Sequence, residues 1–265
     1  MAVENAFDVV FGTSVTQRIK QTVQPRGGYI NPKSLNVTSL GEGMEALNPE
    51  ENVSPILVGI SVDYLTRFST GACVQDAFSI SLAGAGLIGQ TKTASKLLKG
   101  IKGLDDNSIT SAVKLVGFDS VYRAGPMAYK PVEEIDPDSV TIANIRTMVE
   151  RALHFFGIYG SKVLDGFTFE GGYTDVVSSG DGDFTTADTL WDFKVSKSPI
   201  KKEHTLQLLV YWRMGLHSVH PEFQTIKYLG IYNPRMNTVS RIAVSDIPDD
   251  VIEEVEAEVI GYDVE

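Results

Sequence analysis

Two aspartates and a lysine stand closest to chemistry in this sequence. Asp183 follows the turn-prone run Gly180, Asp181 and Gly182, and Asp192 and Lys194 flank Phe193 after Leu190 and Trp191. Side chains alternate along a strand, so Asp192 and Lys194 share a face while Phe193 turns into a core. Asp183 lies nine positions before Asp192, enough for a hairpin that turns near Thr186, Ala187 and Asp188 and brings the two carboxylates side by side. Adjacent carboxylates repel each other strongly unless a cation sits between them. Hard divalent ions such as Mg²⁺ take one or two carboxylates and complete their shell with water and substrate phosphate. A lysine beside such a site can orient or deprotonate the attacking water, or stabilise phosphate charge.

The elements that must position these groups can be read from periodicity. Val, Phe, Thr, Tyr and Trp crowd residues 163–177, 182–186 and 189–196, which predicts three strands joined by tight turns. Glu203 to Leu216 reads as a helix, with Leu206, Leu209, Val210 and Met214 on its core face. Residues 225–233 and 238–244 read as two more strands around Asn233-Pro234-Arg235, and Asp249 to Val259 as an acidic helix. Before the first strand, Asp136-Pro137-Asp138-Ser139 is a helix start for 139–157, with Ile142, Ile145, Val149, Leu153 and Phe156 on one stripe. Residues 54–160 look mainly helical, with Ile56, Ile60, Tyr64 and Phe68 recurring every fourth position and Val62 and Leu65 close by, and residues 1–54 read as an extension that wraps the rest. The division expected is an N-terminal extension and helical region over 1–137 and an α/β core with an acidic C-terminal segment over 138–265.

Gln207 and Tyr211 are four apart on the 203–216 helix and therefore share a face. The D…DxK spacing, the QxxxY pair and the order helix, three strands, helix, strand together resemble the PD-(D/E)xK nuclease superfamily, in its RecB-like branch. The resemblance covers about 140–245 and leaves out the N-terminal half. It implies a divalent-metal-dependent nuclease that hydrolyses phosphodiester bonds in nucleic acid, with DNA the first substrate expected. Asp183 and Asp192 would match the acidic positions and Lys194 the lysine, with Mg²⁺ or Mn²⁺ as the cofactor. Gln207 and Tyr211 would hold the substrate strand or the lysine. The family adds an acid or histidine from the preceding helix; Glu150 is the first choice as metal ligand, with His154 one turn later. Asp181, Glu170 and Asp175 are rivals for that role. Some members of the branch carry an iron–sulfur cluster; with Cys73 as its one cysteine, this chain departs from them.

Composition frames these expectations. The net charge is −11, which opposes nucleic-acid binding at first sight. Nine acids and no Lys or Arg fall between Asp246 and Glu265; without that segment 25 acids face 23 bases, so a local basic groove is compatible with the chain. Lys197, Lys201 and Lys202 flank the aspartates, and Lys92, Lys96, Lys99 and Lys102 form a stripe that can grip phosphate. No apolar run reaches the length of a membrane span, and MAVENAFDVV lacks the pattern of a signal peptide, so a cytoplasmic protein is expected. Two other readings stay open. One is a binding or regulatory protein that keeps the nuclease fold without cutting, for which the acidic segment suits a protein partner; a homo-oligomer is equally compatible. The other is a nucleotide-binding enzyme that uses Gly84, Gly86 and Gly89, provided a strand precedes them.

Overall fold

Helix starts in this protein are written in side chains that cap their own backbone. The computed structural model describes residues 12–41 and 46–263. In chain order it has β1 (Thr13–Ser14), α1 (Val15–Gln21), β2 (Asn36–Ser39), α2 (Pro55–Ser69), α3 (Val74–Ala77), α4 (Ser79–Leu87), α5 (Thr91–Gly100), α6 (Asp106–Val116), α7 (Asp119–Ala124) and α8 (Ser139–Tyr159). The second half adds β3 (Leu164–Thr168), β4 (Val177–Ser179), β5 (Asp181–Thr185), β6 (Thr189–Phe193), α9 (Lys202–Leu216), β7 (Tyr228–Asn233), β8 (Thr238–Ala243) and α10 (Asp249–Glu254). Ser54, Asp105 and Asp138 each accept a backbone N–H from the first turn of α2, α6 and α8, satisfying donors that a helix start leaves open. Gly160, at φ 93°, ends α8 with a backbone that other residues rarely adopt.

The fold is α/β. Six strands form one mixed sheet in the order β2-β8-β7-β6-β5-β3. All neighbours are antiparallel except β6 and β7, which run parallel and are joined by α9. β4 leaves this sheet and pairs with β1 instead, so the run expected as one strand over 163–177 is broken by a turn after Thr168. One face of the sheet packs Leu190, Leu229 and Ile231 under Leu206, Leu209 and Val210 of α9. The other packs Phe184, Trp191 and Tyr232 under Ala152 and Phe155 of α8. A separate core of Val58, Val62, Leu65, Ile109, Val113 and neighbours holds α2 to α6 together and also takes Ile142, Ile145 and Val149 from α8.

Two expectations change here. Val62, Tyr64 and Leu65 are buried in α2 together with Val58, and Ile60 and Phe68 pack against the same core, whereas Ile56, the first of the fourfold recurrence, is 72% exposed. Gly84 and Gly86 lie within the helix α4 and Gly89 in the turn after it, with helix α3 before them, and the strand needed for a dinucleotide loop is missing. Gly84 is required there for packing: a Cβ would lie 2.2 Å from the Phe118 carbonyl oxygen. The acidic C-terminal segment, set apart in the sequence by its charge, is built into the molecule. Val255, Val259 and Ile260 are fully buried against α9, and Glu256 pairs with Arg213 at 2.7 Å. Among the described residues no helix is long and apolar enough to cross a membrane.

Candidate active site

The β5–β6 hairpin sets the geometry. Phe184 stands opposite Trp191 in the antiparallel ladder. Both turn toward α8, where Trp191 meets Phe155 edge-to-face at 4.8 Å between ring centroids. Strand alternation therefore sends Asp183, Asp192 and Lys194 to the opposite, α9 face. Continuing the register one step sets Asp183 across from Asp192, and the Phe193 N–H bridges the strands by donating to Asp183 Oδ2 at 2.6 Å. Asp192 is 4% exposed. Its Oδ1 pairs with Lys194 Nζ at 2.9 Å, and its Oδ2 has no hydrogen-bond partner among the described residues.

Electrostatics follow from that crowding. Burial, then the charge of Asp192, then that of Asp63 push the Asp183 carboxyl up to about 7, against the pull of Lys194 and the Phe193 N–H. Burial works against the Lys194 ammonium, but Asp192 and Asp183 outweigh it and hold Lys194 above the usual lysine value.

The α9 pair reaches the same cluster. Lys194 donates to Gln207 Oε1 at 3.4 Å, and Gln207 Nε2 donates to the Tyr211 hydroxyl at 2.9 Å. Tyr211 is buried with its ring 5.0 Å from that of Phe169, which fixes the far end of the chain Asp192–Lys194–Gln207–Tyr211. His204 lies one turn before Gln207; burial, and then Lys194, lower its proton affinity.

Glu150 and His154 are not brought to this cluster. Both are exposed on α8, and α8 covers the Phe184–Trp191 side, so the sheet separates them from Asp183 and Asp192. Glu170 and Asp175 are exposed beyond β3, and Asp181 is exposed at the start of β5. The helix-borne acid that does arrive is Asp63, from α2. It lines a cleft of about 660 Å³ together with Asp183, Lys194, Arg123 and the apolar Ile56 and Ile60. Burial raises Asp63, and Arg67 Nε, 3.6 Å from its Oδ1, opposes that shift. Residues 56, 60, 63 and 67 share one face of a helix. Once the buried stripe is assigned to Val58, Val62 and Leu65, Asp63 falls on the open side, a placement that the fourfold recurrence alone does not give.

Asp183 and Asp192 fit a hard divalent ion. They offer only oxygen donors, one of those oxygens is buried without a partner, and the pair is destabilised by mutual repulsion. No three of His, Cys, Asp and Glu converge closely enough among the described residues to cage an ion unaided. A two-carboxylate site of this kind leaves positions for water and a phosphate oxygen. No family model, curated protein or solved structure matches the chain.

Proposed function

We propose that this protein is a divalent-metal-dependent nuclease of the PD-(D/E)xK type, acting on nucleic acid, with DNA as the first substrate to test. One observation carries the reading: on adjacent strands, Asp183 faces a buried Asp192 whose Oδ2 is unpartnered, with Lys194 held beside them by Gln207. With β4 set apart in the small sheet, the main-sheet order α8, β3, β5, β6, α9, β7, with β7 parallel to β6, supports the same family, because it matches the helix, three-strand, helix, strand order of that core.

Asp183 and Asp192 would hold Mg²⁺ or Mn²⁺, with Asp63 at the cleft edge. When bound, such an ion lowers the proton affinity of water and neutralises charge on a phosphodiester. Lys194, donating to Asp192 and Gln207, keeps its ammonium beside the pair, where it can donate to a phosphate oxygen. Gln207 has both an acceptor for Lys194 and a donor for Tyr211, so the two α9 residues orient the lysine. Arg123, from α7, lines the cleft and can bind a second phosphate.

The experiment is a panel of labelled linear and circular, single- and double-stranded substrates incubated with Mg²⁺, Mn²⁺ or EDTA. Cleavage that requires metal and disappears in Asp183→Asn and Asp192→Asn is expected. Metal-dependent cleavage that survives in either purified variant would overturn the assignment.

A further inference from the structure

The cleft that holds Asp183 is not the larger hollow of the molecule. A second cleft, of about 800 Å³, opens over β7, β8 and β2 beside the start of α9. Its position is tied to the catalytic strand. Ile231, in its floor, pairs with Asp192 in the parallel β6–β7 ladder and so lies about 4.8 Å away, one strand over. The segment that leaves β6 borders both hollows: residues 193–196 line the first, and residues 197–202 line the second.

Its chemistry differs from that of the cleft that holds Asp63 and Asp183. Lys33, Lys197, Lys201 and Lys202 line it, and no aspartate or glutamate does, in a chain whose net charge is −11. Lys197 also donates to the Pro49 carbonyl at 2.9 Å, which fixes that part of the rim. Between the lysines the wall is apolar, and two of its residues are left open to water: Val37 is 66% exposed and Met236 is 55% exposed. Exposed apolar surface bordered by one sign of charge marks a binding site for an amphipathic anion.

We propose that this cleft seats an unpaired polynucleotide strand entering or leaving the carboxylate pair, an inference that rests on the nuclease reading for its link to cleavage. Phosphates would meet the lysines, and the flat faces of bases would cover Val37 and Met236. Of the two forms of nucleic acid, the unpaired strand offers both surfaces at once, because a duplex buries its base faces in stacking and presents phosphates outward. The hollow also has the size of a small-ligand site, which suits one or two nucleotides and not a duplex.

Binding is measured by fluorescence anisotropy with a short labelled oligo(dT), and with the same length of duplex, in EDTA at low salt. The Lys33→Glu/Lys201→Glu variant changes two exposed rim residues. It is expected to bind oligo(dT) at least about tenfold more weakly, with the slope of log K against log salt shallower by about 1.4. Val37→Asp, at an exposed position on the edge strand β2, should weaken binding without touching a lysine. Lys130→Glu/Lys227→Glu, the same charge change at exposed lysines that line neither cleft, should leave it unchanged. Equal weakening by that control variant, no weakening by either cleft variant, failure of the wild type to bind oligo(dT), or a preference for duplex would each overturn the proposal. The two readings separate cleanly. Cleft-dependent binding by a wild type that never cuts discards the nuclease and keeps the cleft. Metal-dependent cutting that ignores the cleft variants does the reverse.

Discussion

Asp119, in the helical region, and Asp192, in the sheet, are both buried aspartates, 1% and 4% exposed, yet they are treated in opposite ways. Asp119 accepts hydrogen bonds from the Tyr64 hydroxyl at 2.7 Å and from Ser81 Oγ, and Arg123 lies 3.7 Å away. Both its oxygens are engaged, and the cost of burial is offset locally. Asp192 has one oxygen on Lys194 and the other without a partner, and it faces a second carboxylate on the neighbouring strand. Burial raises the proton affinity of Asp119, and its two hydroxyl donors limit that rise. At Asp183 the carboxylate of Asp192 adds to burial and pushes the same way. A buried acid whose lone pairs are filled by neutral donors joins helices together. A buried acid left short of donors beside another acid stores repulsion that an incoming cation relieves.

Substitution of the two aspartates should break the comparison most visibly. Asp192→Ala is expected to lower cleavage by more than about 100-fold with the fold intact, since even outer-shell partners of a metal are worth 10–100-fold. Asp119→Ala should instead cost on the order of 3 kcal/mol of stability, because it strands the Tyr64 and Ser81 hydroxyls. Urea unfolding and single-turnover cleavage on both variants measure the contrast. An Asp119 variant as inactive as Asp192→Ala yet fully stable would erase the distinction.

The sign of the pH dependence sharpens it. An ordinary aspartate titrates near 4, whereas Asp183 in the folded chain is raised to about 7. Between those values the folded state binds the extra proton, so this group is destabilising above pH 7 and neutral below pH 4. In EDTA, Asp183→Asn should therefore be more stable than the wild type at pH 8, by a few kcal/mol at most, since Asp183 keeps some contact with solvent. The difference should vanish by pH 4. Denaturant midpoints across that range test it, and an Asn variant less stable at pH 8 would refute the stored repulsion.

Smaller effects distinguish the helix-borne acids and the α9 pair. Asp63→Asn, on the cleft, should lower turnover by roughly tenfold, the range of a residue that supports a metal site. Glu150→Gln, across the sheet, should leave turnover unchanged. The reverse result would place the missing acid on α8. Tyr211→Phe removes one hydrogen bond to Gln207, worth about 0.5–1.5 kcal/mol, and should give the mildest loss. A Tyr211→Phe enzyme as impaired as Asp192→Ala would mean the hydroxyl itself contacts the reaction.

Local patterns were enough for much of this molecule. Alternation placed Asp192 and Lys194 on one face and Phe193 on the other, and the hairpin brought Asp183 beside them. The spacing of Gln207 and Tyr211 on one helix was equally readable, because i and i+4 neighbours meet whatever surrounds them. What the amino-acid order could not decide were relations between distant segments. Whether α8 or α2 supplies an acid depends on which sheet face each helix covers, and that is settled by Phe155 packing on Trp191, 36 residues further along the chain. The acidic segment after Asp246 stands out by charge, yet Val255, Val259 and Ile260 are buried under α9, because apolar burial outweighs a charged outer face. Periods of two and four residues are local and survive in any fold. Which face meets which partner is a property of the whole packing, and only the tertiary structure determines it.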